Sequence, residues 1–302
     1  MKDNMRHAIG IDLGCTNIKA VLVDGDGNVL QQARHETREH DDQHWKSSVK
    51  RMIADLKGKS NGVATVGLCA PGLANAENSF ISCMPGRLPG LERFNWSDFT
   101  GERVHVLNDA HAALTAEATF GAAKGLKHAV LITLGSGVGG GILIDGHLYQ
   151  GMSQMAGHFG HMSIDASTHL RDVTNMPGSI EDAIGNITIV QRSYGRYQTT
   201  FELIEAYRRG DTFATWLWLD AVRKLSISIA SCVNLVSPEA VIIGGGIGQA
   251  GEALMKPLRE FLEMYEWKPT GSGTVLKAAH FSDMAGAIGA AGFALTKSKQ
   301  AS

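Results

Sequence analysis

The same short pattern occurs twice in this chain, about 120 residues apart. In each copy an apolar, β-branched strand runs into a turn of Gly with Ser or Thr, a second apolar strand follows, an acidic-Gly turn reverses it, and a third strand begins. The first copy has strands at residues 8–13 and 18–23, joined by Gly14-Cys15-Thr16-Asn17, with Asp24-Gly25-Asp26-Gly27 leading into Val29-Leu30. The second has strands at 128–134 and 138–144, joined by Gly135-Ser136-Gly137, with Asp145-Gly146 leading into Leu148-Tyr149. Runs of this length and residue type read as strands, and their turn residues as hairpin corners. A supersecondary unit repeated in this way predicts a duplicated α/β fold.

The intervening segments fill in the layers. Residues 36–57 are mainly polar with apolar residues at Trp45, Val49, Ile53 and Leu56, whose spacings of three and four predict an amphipathic helix packed on the first sheet. Strands are expected at 63–69, ending in Ala70-Pro71-Gly72, and at 104–107, delivering Asn108-Asp109 to an alanine-rich helix over 110–120. Residues 121–127 then link to a second lobe. There, helices are expected at 180–194, 201–209 and 212–236, a strand at 240–243 enters Gly244-Gly245-Gly246, and the small-residue segment 284–295 forms a closing helix. A chain of 302 residues has room for two domains, with boundaries expected at 1–120 and 121–283.

Composition removes several function classes. With 28 Lys and Arg against 30 Asp and Glu, there is no field to attract nucleic acid or an anionic membrane. Hydrophobic residues at 44% and charged residues at 19% fit a packed protein that binds a small molecule. Cys15, Cys69, Cys83 and Cys232 lie far apart with no CxxC, and residues 1–10 lack the apolar stretch of a signal peptide, so a cytoplasmic setting is expected. The least charged stretch, 129–144, is broken by five glycines and is too short to span a membrane.

The 36 glycines gather in short clusters after apolar runs. Asp12-x-Gly14-x-Thr16, Gly135-Ser136-Gly137 and Gly244-Gly245-Gly246 each end a strand, where backbone N–H groups unshielded by side chains can approach phosphate. A hairpin's need for positive φ explains any one of them alone. Asp109 has two readings from its surroundings. At a strand end it could take a proton from an attacking hydroxyl, and before a helix it could cap the first N–H groups.

Asp12-Leu13-Gly14-Cys15-Thr16-Asn17-Ile18-Lys19, Ala70-Pro71-Gly72, Leu107-Asn108-Asp109-Ala110, Gly135-Ser136-Gly137-Val138-Gly139-Gly140-Gly141, Gly157-His158-Phe159-Gly160-His161-Met162 and Val241-Ile242-Ile243-Gly244-Gly245-Gly246 resemble, in order and spacing, the ROK family of bacterial sugar kinases and repressors. The resemblance implies a two-lobed actin-like (ribonuclease H-like) ATPase fold with duplicated domains, its last helix, about residues 284–302, packing back on the first lobe. It implies transfer of the γ-phosphoryl group of ATP, with Mg²⁺, to a hydroxyl of a hexose or modified hexose. By that likeness Asp109 is the general base, and Gly72, Arg87, Asn108, His158, His161 and Glu181 surround the sugar. Asp12, Gly14, Cys15, Thr16, Asn17, Lys19, Gly135, Ser136, Gly137, Gly244, Gly245 and Gly246 attend the nucleotide. A homodimer is common in the family, and the sequence leaves the oligomeric state open.

The pattern departs from the family in three places. The cysteine positions of the family's zinc motif fall on Asp172, Thr174 and Ser179, which speaks against structural zinc. His158, His161, His169 and Asp172 remain as a mixed replacement ligand set. His158 stands where the family has Glu, and Arg87 where it often has Asn before Leu-Pro-Gly. Either these favour an acidic sugar, or Arg87 is a solvated loop charge and His158 a neutral hydrogen-bonding side chain. The alternatives to a kinase are a non-catalytic sugar sensor and a ROK-type regulator. With a first strand near Ala8 and no basic recognition helix, a DNA-binding domain is not expected.

Overall fold

The computed structural model describes residues 7–60, 64–167, 171 and 174–300. The chain forms two compact units, one of Met1–Gly125, Leu148–Ala156 and Asp283–Ser302, the other of Leu126–His147 and Gly157–Ser282.

In the first unit β1 (Ala8–Leu13), β2 (Asn17–Val23) and β3 (Val29–Glu36) form an antiparallel meander, followed by α1 (Asp42–Lys59). Next come β4 (Thr65–Ala70), the small pair β5 (Leu73–Ala74) and β6 (Ile81–Cys83), α2 (Trp96–Thr100), β7 (Val104–Asn108) and α3 (Asp109–Phe120). The sheet runs β3-β2-β1-β4-β7, with β4 parallel to both β1 and β7. The helix expected over 36–57 starts later. The third strand expected to begin at Val29-Leu30 runs on to Glu36 beside β2, and its side chains are nearly all exposed, so no apolar alternation marks where it ends. Asp41 then opens α1 by accepting the His44 N–H at 3.0 Å. Trp45, Val49, Ile53 and Leu56 are buried on the sheet as their spacing predicts.

The C-terminal helix, Ala285–Gln300, belongs to this unit and packs on β1, β4 and α3 through bare backbone. A Cβ on Gly10 would lie 1.8 Å from the Ala287 carbonyl oxygen, one on Gly67 1.9 Å from that of Ala290, and one on Gly289 1.7 Å from that of Ala112. The small residues at this interface allow the close approach of helix and strands.

The second unit repeats the plan. β8 (Ala129–Leu134) and β9 (Val138–Ile144) are antiparallel, and β10 (His147–Tyr149) follows where the chain enters the Leu148–Ala156 stretch counted with the first unit. Helices α4 (Ile180–Ile184), α5 (Ile189–Arg192), α6 (Thr200–Arg208) and α7 (Thr212–Val236) precede β11 (Ala240–Gly244), α8 (Gly245–Gly248), α9 (Glu252–Tyr265) and β12 (Leu276–Ala278). The order β10-β9-β8-β11-β12, with β11 parallel to β8 and β12, matches the first sheet position by position. The duplicated α/β architecture expected from the repeat is therefore present.

Three elements correct the expectation. The helix predicted over 180–194 breaks at Gly185 because the next amides leave the helix: Asn186 N–H donates to the Gly135 carbonyl at 3.0 Å and Ile187 N–H to that of Ser136 at 2.9 Å. The sequence gives no signal for helix α9 and strand β12; α9 contains Pro257 as its sixth residue, and the Ala253 carbonyl that Pro257 cannot serve accepts the Trp218 indole N–H at 2.8 Å instead. Among the described residues no helix is long and apolar enough to cross a membrane.

Candidate active site

In the first unit the β7–α3 junction is built around Asn108. Its Oδ1 accepts the N–H groups of Ala110 at 2.9 Å and His111 at 3.2 Å, and its Nδ2 donates to the Gly72 carbonyl at 2.9 Å. The capping role considered for Asp109 thus belongs to its neighbour, and Asp109 is the first residue of α3. The Asp109 side chain keeps an exposed face while its Oδ1 accepts the Ala110 N–H at 2.8 Å. The desolvating protein around the carboxyl, and then the charge of Asp12, push its pKa up to about 6. Asn108, expected to hold sugar, is buried and commits its oxygen and one N–H to this junction.

Asp12, at the end of β1, is also pushed above the usual carboxylate range by burial, against the pull of Lys19. The Lys19 Nζ lies 3.8 Å from Asp12 Oδ2 and is held more closely by Asp283, at 2.7 Å to Oδ1 and 2.8 Å to the carbonyl oxygen. Lys19 therefore acts here as a clamp between β2 and the segment before the C-terminal helix. The following turn is braced by Thr37, which the sequence did not single out. The Thr37 hydroxyl donates to the Gly14 carbonyl at 2.6 Å and its N–H to that of Thr16 at 3.0 Å. Gly14 N–H closes the turn on the Asn17 carbonyl at 3.1 Å, leaving Cys15 half-buried and Thr16 exposed at its tip.

Arg87 meets a carboxylate of the protein itself. Glu39 accepts from its Nε and, at 2.8 Å, from its Nη2, and also takes the Leu88 N–H at 3.3 Å. The guanidinium charge considered as a lure for acidic sugars is already balanced.

In the second unit the Gly135-Ser136-Gly137 turn rests on Glu181, the second residue of α4. Its buried carboxylate accepts the Val138 N–H at 2.9 Å, and a Cβ on Gly137 would fall 2.2 Å from the same oxygen. A side chain at 137 would have to displace the Glu181 carboxylate from this contact. His158 and His161 lie nearby in sequence with rings parallel within 10° and centroids 6.3 Å apart. Of the third turn, Gly244 ends β11, Gly245 has φ +80° with its Cβ position 2.3 Å from the Leu134 carbonyl oxygen, and Gly246 faces open space. Gly135, Ser136 and Gly246 line one cavity of 470 Å³ together with Thr199, Phe201 and Arg208. Sequence reasoning found the two glycine turns of this cavity and missed its α6 wall, where an exposed Phe gives no periodic signal.

The zinc fit fails on donor chemistry. Thr174 Oγ1 is 3.3 Å from His161 Nδ1, and Ser179 Oγ accepts the Asp182 N–H at 3.1 Å as the cap of α4. His169 and Asp172 lie outside the described residues. Among the described residues no group of three or more His, Cys, Asp or Glu side chains could hold a metal. The hard carboxylate of Asp12 does suit Mg²⁺ carried with phosphate oxygens and waters.

The ROK family model matches residues 8–297. A glucokinase of Thermotoga maritima is 32% identical, covering 94% of this chain and 95% of that protein. A ROK hexokinase of Thermus thermophilus superimposes with a TM-score of 0.84 at 26% identity, over 97% of this chain and 99% of that one. A ROK family glucokinase of Streptomyces griseus, solved in complex with glucose and AMPPNP, gives 0.78 at 27% identity, over 95% and 98%. With its duplicated sheets and glycine turns, the chain belongs to the ROK family and is an ATP-dependent sugar kinase of the actin-like two-domain fold.

Proposed function

We propose that the protein transfers the γ-phosphoryl group of ATP to a hydroxyl of a neutral hexose or modified hexose, with Asp109 as general base. The observation that carries this reading is the carboxyl of Asp109. It has an exposed face at the start of α3, is fixed by a cap that is not its own, and has a pKa of about 6. A base of that strength is ionised at neutral pH and still able to accept a proton as the hydroxyl attacks. Asn108 holds the helix start so that this carboxyl stays in place.

Asp12 with Gly14-Cys15-Thr16 in the first unit, and Gly135-Ser136-Gly137 in the second, serve as phosphate-binding turns. Mg²⁺ supplies charge neutralisation of the phosphate oxygens when bound, with Asp12 as its protein carboxylate. The 470 Å³ cavity takes the nucleoside, where Gly246 leaves room and Phe201 offers a ring face. The sugar-side residues are Gly72 and Arg87 in the first unit and His158, His161 and Glu181 in the second. Neutral sugar is favoured because Glu39 balances Arg87, and the glucokinase and hexokinase relatives make glucose the first substrate to test.

The test is ADP release across neutral hexoses, amino sugars and aldonates, with sugar binding measured in parallel. Turnover with a neutral hexose, lost in Asp109→Asn while binding persists, supports the assignment. Retained turnover in Asp109→Asn removes Asp109 from it.

A further inference from the structure

The segment that leads from His161 to α4 is closed by hydrogen bonds. Ile164 N–H donates to the Gly178 carbonyl at 2.8 Å and Ile180 N–H to that of Met162 at 3.0 Å, while Ser163 bridges Ser179 as an antiparallel pair. The Ser163 hydroxyl donates to the Pro177 carbonyl at 2.7 Å, and Arg171 reaches the Asn175 carbonyl at 2.8 Å. Two of the positions where the family carries cysteine take part through hydroxyls. Thr174 meets the His161 ring at 3.3 Å, and Ser179 caps α4.

A neutral hydroxyl is a poor ligand for zinc beside thiolate or imidazole, and the Ser179 oxygen already accepts a backbone N–H. The same hydrogen bonds set two side chains of the proposed site. Ser179 fixes the first turn of α4, and therefore the Glu181 carboxylate that holds the Val138 N–H. The Thr174 hydroxyl contacts the His161 ring.

We propose that this chain replaces the metal staple of its family with a hydroxyl-based one, in which Ser179 and Thr174 are positioning residues for Glu181 and His161. The positioning half rests on the sugar-kinase reading, whereas the metal-free half does not.

Metal content and thermal unfolding of the purified full-length protein test the metal-free half. After expression with added zinc and gel filtration, the protein is expected to hold far less than about one zinc per chain, the stoichiometry of a closed structural site. Its Tm is expected to be unchanged by phenanthroline. Retained stoichiometric zinc, or a chelator-induced fall of about 5 °C or more, overturns the proposal. For the positioning half, Ser179→Ala is expected to raise the sugar KM about fivefold, as loss of one cap allows, and Ser179→Asp to restore it. A lowered Tm with unchanged sugar KM makes Ser179 merely structural and overturns its role. Should Ser179→Ala fail to fold, Thr174→Val at an exposed position carries the same comparison, with Thr174→Ser as its rescue. Kinase assays that find no sugar turnover, alongside a zinc-free and chelator-resistant protein, refute the functional reading and leave the metal-free staple standing.

Discussion

The amide of Asn108 donates to the carbonyl of Gly72 at 2.9 Å, tying the ends of the neighbouring strands β7 and β4. Because the same side chain caps α3, one residue sets strand spacing, helix start and the direction of Asp109. Replacing it with Ala removes the cap and the strand tie together. Asn108→Ala is expected to lose about 2 kcal/mol of stability in denaturant unfolding. Asn108→Asp keeps the cap oxygens, loses the donor to Gly72 and sets a second carboxylate beside Asp109, so the acid limb of its rate profile is expected to move to higher pH.

Asp109 predicts a pH dependence of both rate and stability. The kcat is expected to fall as pH drops through about 6, where the base takes up a proton. Asp109→Asn should lower kcat by about a hundredfold or more at neutral pH and above, and remove the acid limb of the profile. In stability the sign follows from a folded pKa raised above its ordinary value of 3.8: the unfolded chain releases this proton first, so stability is lost as pH rises from there to about 6. Asp109→Asn abolishes that loss and should gain on the wild type across the same window, as measured by urea unfolding at several pH values.

The bare contacts of the C-terminal helix predict large losses at buried glycines. Gly67→Ala and Gly289→Ala each push a methyl group against a backbone oxygen, and helix or strand must shift to admit it. Destabilisation of about 3 kcal/mol is expected for each in thermal unfolding. Gly58→Ala, in a helix with open space around it, is expected to be neutral or stabilising.

Gly137 and Glu181 should fail together. A methyl at Gly137 displaces the Glu181 carboxylate from the Val138 N–H, so Gly137→Ala and Glu181→Ala are expected to lower kcat/KM by similar factors of about tenfold or more. A double variant no worse than either single one would verify the coupling in steady-state kinetics.

Phe201 is exposed and lines the cavity assigned to the nucleoside. Phe201→Ala is expected to raise the KM for ATP by about fivefold, the scale of one lost ring contact, while leaving the sugar KM unchanged. Titration of both substrates separates the two.

The sequence by itself determined the repeated sheet plan, because apolar β-branched runs bounded by Gly turns can be read locally, and the buried face of α1, because its spacing of three and four is that of one helix face. It also marked Asp109 and the glycine turns, whose composition is unusual wherever they fold. Tertiary structure alone decided that the third strand announced by Val29-Leu30 runs on through polar residues to Glu36, that Gly185 breaks a helix to satisfy the Gly135 and Ser136 carbonyls, and that Asn108 takes the cap. Only folding brought Glu181 against Gly137 and Glu39 against Arg87, partners separated by 44 and 48 residues in the chain. Local sequence carries propensity and pattern, whereas the partner of a buried polar group is fixed by which distant segment reaches it first-hand in the packed chain.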